Sequence, residues 1–155
     1  MAENELYRIA LNKAMSQCSV RELCQDDIRS KLMLWGIEKN DNEKIIEILV
    51  RENFINESRY ATAFARDKFK YNKWGKLKIS AHLKIKKIKG DIIREALDSI
   101  DDEQYTNMIR LLLDSHRKTV KAKNQYELKA KLMRYGLSKG FESGLLYEML
   151  GDLGE

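Results

Sequence analysis

The sequence predicts an all-α protein made of three tandem three-helix repeats. Three observations lead to that prediction: apolar residues recur at helical spacing, the same arrangement returns about every fifty residues, and strand-like alternation recurs nowhere. The 155 residues include no proline and are 34% charged, which is typical of helices with charged outer faces. We therefore expect three-helix units that stack into an elongated, curved array.

In the first helix of each unit a tyrosine, namely Tyr7, Tyr60 or Tyr105, opens the apolar pattern, with apolar residues three and four positions later. This spacing is typical of one face of an amphipathic helix. Acidic residues 101–103 open the third of these helices, where the helix dipole favours carboxylates. Asn124 with Glu127 and Ser19 with Glu22 have the spacing of capping boxes, so each pair predicts the start of a helix.

The second helix of each unit carries three apolar anchors at a shared spacing. They are Ile28/Leu32/Ile37, Ile79/Leu83/Ile88 and Leu128/Leu132/Leu137. Gly36 and Gly136 are predicted to end this helix in units one and three, since glycine accepts the left-handed backbone wanted there. Unit two has Lys87 at that position, where a left-handed backbone would cost about 1 kcal/mol.

A third apolar pattern closes each unit, at residues 45–49, 92–97 and 145–150. Short junctions around Asn56 and Asp101 separate the units, so we divide the chain into residues 1–56, 57–100 and 101–155. One unit of this length is marginally stable alone, and we expect stacked units to bury each other's remaining apolar faces.

The basic excess lies in the middle unit. Residues 1–56 carry 8 basic and 10 acidic side chains, residues 57–100 carry 12 and 5, and residues 101–155 carry 9 and 9. The stretch Lys70–Gly90, "KYNKWGKLKISAHLKIKKIKG", holds eight lysines and no acid. Such one-signed charge favours an anionic partner, such as DNA or an acidic protein. A merely solvated face is the alternative, although ordinary surfaces intersperse both signs.

Several other classes of function lack their sequence signature. No run of about 18 apolar residues predicts a membrane span, and the acidic start of the chain does not have the pattern of a signal peptide, so we expect a cytoplasmic protein. Cys18 and Cys24 are expected to be reduced. His82 is expected at the boundary between core and surface, near the Ile79/Leu83 side of its helix, and His116 in solvent. No catalytic constellation, phosphate-binding loop or metal site is predicted.

The chain resembles the RecX family of bacterial regulators of the RecA recombinase. The resemblance rests on "FINESRYATAF", "GKLKISAHLKIKKI" and "IIREAL" in this order, and on the threefold layout that covers almost the whole chain. Two positions depart from the family pattern: Asn56 stands where the family commonly has Asp, and Lys87 where it commonly has Gly.

The resemblance implies tandem helix-turn-helix-like modules that bind in the groove of the RecA filament. It implies modulation, usually inhibition, of the ATPase, strand-exchange and coprotease activities of RecA in DNA repair, recombination and the SOS response. No enzymatic activity and no cofactor are expected, and the chain is expected to be a monomer that binds single- or double-stranded DNA weakly and without sequence preference.

Taken with the one-signed charge, the resemblance suggests which residues contact RecA or DNA. They are Arg66, Lys70, Lys73, Trp74, Lys76, Lys78, Lys84, Lys86, Lys87 and Lys89. Trp74 could stack on an unpaired base or anchor a junction in the core. Two alternatives stay open: a stand-alone DNA-binding protein without sequence specificity, and a helical scaffold for another acidic protein.

Overall fold

The computed structural model describes residues 2–151, and within that range it contains nine α-helices and no strand. The helices are α1 (Ala2–Val20), α2 (Gln25–Leu34), α3 (Lys39–Arg51), α4 (Glu57–Asn72), α5 (Lys76–Ile85), α6 (Gly90–Asp98), α7 (Asp102–Thr119), α8 (Gln125–Lys139) and α9 (Ser143–Gly151). The predicted all-α architecture of three three-helix repeats is confirmed. We call α1–α3, α4–α6 and α7–α9 units 1, 2 and 3; the outer ends of the predicted division, residues 1 and 152–155, lie outside the described part.

Two hydrophobic cores hold the helices together. Unit 1 has its own core, in which Ile28, Leu32, Ile45 and Leu49 are fully buried. Units 2 and 3 share a second core, so their apolar faces cover each other as a repeat array requires. Cys24, at the start of α2, packs into this second core and ties unit 1 to unit 2.

The molecule exposes more surface than a compact protein of its size. Its accessible surface is 10070 Å², whereas a compact monomer of 18.2 kDa would expose about 8,100 Å². The excess of roughly a quarter agrees with an elongated array of units. No helix in the described range is both long enough and apolar enough to cross a membrane.

The ends of the second helices differ from one unit to the next. Gly36 follows α2 with φ +81°, as predicted, and Lys87 takes the same left-handed backbone in unit 2 with φ +63°. The prediction for Gly136 is wrong, because α8 continues to Lys139 and ends at Gly140 with φ +93°. Gly136 lies inside α8, where a Cβ atom would stand 2.6 Å from the Leu146 side chain, so it lets α9 pack closely.

Most of the predicted helix starts are confirmed. The side chains of Asn124 and Asp101 accept the backbone N–H groups of Glu127 and Gln104. Asn56 caps α4 in the same way, so an amide serves here as well as a carboxylate. The capping box at Ser19 is wrong: α1 runs on to Val20, and the Ser19 hydroxyl donates back to the carbonyl of Met15.

Units 2 and 3 meet through direct backbone contact. The Gly75 N–H donates to the Lys139 carbonyl at 2.7 Å, and the Leu77 N–H donates to the Gly140 carbonyl at 3.0 Å. A Cβ atom at Gly75 would lie 2.2 Å from the carbonyl carbon of Gly140, so only glycine allows this approach. The junction fixes α5 against the end of α8.

Candidate functional site

The lysine-rich stretch runs from the end of α4, through α5, to the start of α6. The structure places its cations in three different surroundings. Some pair with carboxylates of unit 1, some lie at the junction with unit 3 around Trp74 and Tyr105, and the rest are exposed on α4 and α5 or next to their ends.

The surrounding closest to unit 1 contains Lys86 and Lys87. The ammonium nitrogen of Lys86 lies 2.6 Å from Asp27 Oδ1, and that of Lys87 lies 3.7 Å from Asp26 Oδ1. The interpretation that this stretch lacks counter-charges is therefore wrong for these two lysines. The carboxylates were missed because they precede the two lysines by about sixty residues in the chain, where no local pattern links them.

The pair formed by Lys86 and Asp27 has the character of a structural contact. Burial would raise the pKa of Asp27, but hydrogen bonds from Lys86 and from the Cys24 N–H outweigh it and lower the pKa. The hydrogen bond to Asp27 raises the pKa of Lys86 in turn. Arg59 makes a second link between the units, since its Nε donates to Glu22 Oε1 at 2.7 Å. Lys86 thus serves mainly to hold unit 2 against unit 1.

The second surrounding is built on Trp74. The Nζ atoms of Lys68 and Lys78 lie 5.0 and 4.7 Å from the centre of its ring, within reach of a cation–π interaction. Its ring also packs against Phe64 and His82, with centroid distances of 6.4 and 4.5 Å. The indole is half-buried against the shared core, which favours its role as a junction anchor over base stacking.

The surroundings of Trp74 include two basic residues that sequence reasoning missed. Neither residue lies within the quoted stretch Lys70–Gly90: Lys68 precedes it, and Lys139 lies in unit 3. The Nζ of Lys139 donates to the Asn72 carbonyl at 3.1 Å. Burial and the nearby charge of Lys78 lower the pKa of Lys139. A positive charge on α8 is thus added to the cations of unit 2.

Lys76 is bound into the junction of units 2 and 3. Its side chain is only 19% exposed and its Nζ lies 3.8 Å from Asp102 and 5.0 Å from the centre of the Tyr105 ring. Its backbone N–H donates to the Tyr105 hydroxyl at 2.9 Å, and that hydroxyl donates to Glu142. Lys78 is also half-buried, beside Gly140.

The remaining predicted contact residues project outward. Arg66, Lys70 and Lys73 are exposed on α4 and at its end, and Lys84 and Lys89 are exposed on α5 and just before α6. Within residues 2–151 these five cations form no ion pair with a carboxylate. They are the part of the predicted site that an anionic partner could reach.

Reactive side chains do not converge near these cations. His82 is exposed with its ring against Trp74, and His116, expected in solvent, instead stacks on Tyr135 at 3.9 Å between ring centres. In the described part of the chain no three Cys, His, Asp or Glu side chains are grouped as a metal ion would require. Cys18 and Cys24 are free and buried, and burial raises the pKa of both thiols.

Comparison with known proteins finds relatives of one family. Residues 56–97 match the family model described as RecX, second three-helix domain. The chain is 31% identical over 155 residues to the regulatory protein RecX of Clostridium acetobutylicum, covering 97% of this chain and 72% of the relative. It is 33% identical over 130 residues to that of Clostridium botulinum strain Eklund 17B, covering 81% of this chain but 59% of the relative.

Solved structures share the fold. A crystal structure of a regulatory protein RecX superposes with a TM-score of 0.87 at 22% identity, covering 97% of this chain and 74% of that one. A crystal structure of RecX from Lactobacillus salivarius gives a TM-score of 0.83 at 20% identity, covering 97% and 98%. At such identities the superpositions establish the common architecture of the helices.

Proposed function

The chain belongs to the RecX family, and from that premise we propose that it regulates the RecA recombinase by binding its nucleoprotein filament. The proposed effect is inhibition of the ATPase, strand-exchange and coprotease activities of RecA in DNA repair, recombination and the SOS response. The protein itself contributes binding and no catalysis, acts as a monomer in the cytoplasm, and needs no cofactor.

The observation that carries the proposal is the 31% identity to a curated RecX regulator over 97% of the chain. The structure adds support of a physical kind. Arg66, Lys70 and Lys84 are exposed and unpaired with acids in the described range, and they lie on rigid helices of an extended molecule. Such an array offers a long surface to a filament, and its positive charge attracts an anionic groove.

The candidate contact residues differ in whether their side chains are free or already in contact with other parts of the molecule. Arg66, Lys70, Lys73, Lys84 and Lys89 are proposed to touch the partner directly. Trp74, Lys76, Lys78 and Lys86 are proposed to hold the units in the orientation that makes the contact, because their side chains are already occupied within the molecule. Lys87 is proposed to contribute little to that orientation, since its ion pair with Asp26 is exposed.

A second candidate is a DNA-binding protein that acts without a protein partner, which the exposed lysines also favour. Lysine is a point charge suited to phosphates, and such binding would weaken with salt at a slope of about −0.9 per phosphate neutralised. In this case the protein would affect RecA only by occupying its DNA.

Titration of this protein into the single-strand-dependent ATPase of the RecA from the same organism separates the two candidates. Filament regulation predicts that the ATPase falls at well below one protein per RecA protomer, at protein levels too low to coat the DNA. An ATPase that stays constant until the DNA is saturated would refute the proposal and support competition for DNA.

A further inference from the structure

We propose that the groove between α4 and α7 is the docking site for an acidic amphipathic helix of the protein that forms the filament. The inference rests on the proposed function and deepens it, because it assigns the exposed cations of α4 to a protein contact instead of a DNA contact. The groove consists of one cationic wall and one apolar wall, and both are helix faces.

The cationic wall is a single face of α4. Arg66, Phe69 and Lys70 follow the i, i+3, i+4 spacing that brings side chains to one side of a helix. Lys73, the left-handed residue that caps the C-terminus of α4, adds a fourth side chain at the end of this face. Three of the four carry positive charge, and the other one, Phe69, packs toward Tyr105 of α7 with 6.1 Å between ring centres. Phe69 therefore forms the floor that joins the two helices.

The second wall is the matching face of α7. Gln104, Asn107, Met108 and Leu111 extend the same spacing to i+7, and Leu112 adds to the apolar lining. Leu111 is 68% exposed although it is a leucine in the middle of a long helix. The resulting cleft of about 340 Å³ continues into a second cleft of about 540 Å³ that shares Phe69, Lys70 and Gln104 and reaches back to Arg66.

The positive charge of the groove favours an acidic partner. Among the described residues, no acidic side chain lines the first cleft. In the second, the carboxylate of Asp101 accepts the Gln104 N–H and so serves the cap of α7. A partner helix that binds in a groove places apolar side chains into it at positions i, i+3, i+4 and i+7. Glutamate or aspartate on its flank would face Lys70 and Lys73.

The apolar wall of the groove argues against DNA as the occupant. Phosphates and sugars gain nothing from Met108, Leu111 and Leu112, whereas a leucine or phenylalanine of a partner would be removed from water there. A phosphate grip would instead combine cations with hydrogen-bond donors and exposed aromatic faces. The aromatic ring in this groove, Phe69, is packed against the core and is not free to stack.

The test compares Leu111→Gln with the matched control Leu34→Gln, since Leu34 is 85% exposed at the end of α2, away from the groove. Both changes keep the charge and use a good helix former. The affinity of each variant is measured for RecA filaments on single-stranded DNA and for the same DNA without RecA, and circular dichroism verifies that each variant is folded.

The proposal predicts that Leu111→Gln weakens filament binding by about tenfold or more, the factor that burial of a leucine side chain contributes. Binding to bare DNA, and both affinities of Leu34→Gln, should stay unchanged. Wild-type affinity of Leu111→Gln for filaments would overturn the proposal, as would an equal loss for bare DNA. A wild-type dimer that Leu111→Gln dissociates would make a second copy the occupant and would overturn it too.

Failure of the proposed function has a different outcome in the same experiment. If the wild-type protein itself does not distinguish filaments from bare DNA, regulation of the filament is refuted, and the docking proposal with it. If the wild-type protein prefers filaments and Leu111→Gln does so equally, regulation stands and only the assignment of the groove is wrong.

Discussion

Replacing Gly75 with alanine should force units 2 and 3 apart. The added methyl carbon would stand 2.2 Å from the carbonyl carbon of Gly140 and 2.5 Å from the Phe141 nitrogen. Carbon atoms in ordinary contact are about 3.5–4.0 Å apart, so the two backbones must separate by about 1.3 Å or more. Both opposing atoms belong to the backbone, and no side-chain rotation can relieve the overlap.

The cost follows from the two hydrogen bonds at this junction. A separation of that size lengthens the 2.7 Å bond from the Gly75 N–H to the Lys139 carbonyl to about 4 Å, too long for a hydrogen bond. The bond from the Leu77 N–H to Gly140 is lost in the same way. Each lost bond costs about 0.5–1.5 kcal/mol, and a buried group left unpaired costs about 1–3 kcal/mol. We expect Gly75→Ala to lower the free energy of unfolding by about 3–5 kcal/mol.

Urea unfolding followed by circular dichroism measures this loss. The matched control is Gly144→Ala, because an added Cβ there meets nothing within 4 Å. This control should be unchanged or more stable by up to about 1 kcal/mol, since alanine favours helix α9. A loss of less than about 1 kcal/mol in Gly75→Ala would refute the reasoning that this glycine is required by the contact between the units.

Three further predictions concern the cations. Asp27→Asn should lower the free energy of unfolding by about 1–2 kcal/mol at neutral pH, with loss of the charged partner of Lys86. Folding lowers the pKa of Asp27, so its contribution to stability is present above the ordinary pKa of 3.8 and is lost as the pH falls below that value. The difference in stability between Asp27→Asn and the wild type should therefore shrink at low pH. A difference in thermal unfolding that does not depend on pH would contradict this prediction. Lys87→Gly should raise the free energy of unfolding, measured in urea, by up to about 1 kcal/mol, because glycine accepts the left-handed backbone at φ +63° and only an exposed ion pair is lost. Clear destabilisation would mean that the ion pair with Asp26 contributes more than the left-handed backbone costs. A triple change to glutamine should weaken the effect on the RecA ATPase while the free energy of unfolding stays within about 1 kcal/mol, and an undiminished effect would exclude these residues as contacts. The three positions are Arg66, Lys70 and Lys84.

Periodicity was sufficient to predict the repeats. The spacing of apolar residues indicates which helix face meets the core, and the predicted anchors Ile28, Leu32, Ile79, Leu83 and Leu132 are fully buried. The predicted anchor Leu137 is an exception, because it is 46% exposed. Local rules were less secure at the helix ends. Gly136 has the position of a helix stop, yet its role is to admit Leu146 of a different helix, which no local pattern shows.

The same limit explains what the charge pattern could not reveal. The acid-free run correctly marked the middle unit as basic, but it could not show which lysines are free. Asp26 and Asp27 pair with Lys87 and Lys86 only after unit 1 has packed against unit 2. A prediction from composition treats these cations as one patch. In the fold, some of them lie at the contacts between units and others on exposed helix faces.

The most direct test of regulation through the filament is the RecA ATPase titration repeated in the presence of added bare duplex DNA. If the protein acts on the filament, the concentration that halves the ATPase should stay nearly constant, because weak, non-specific DNA binding removes little of the protein. If that concentration rises in proportion to the added DNA, the protein is a DNA-binding competitor, and its lysines bind phosphates instead of the filament protein.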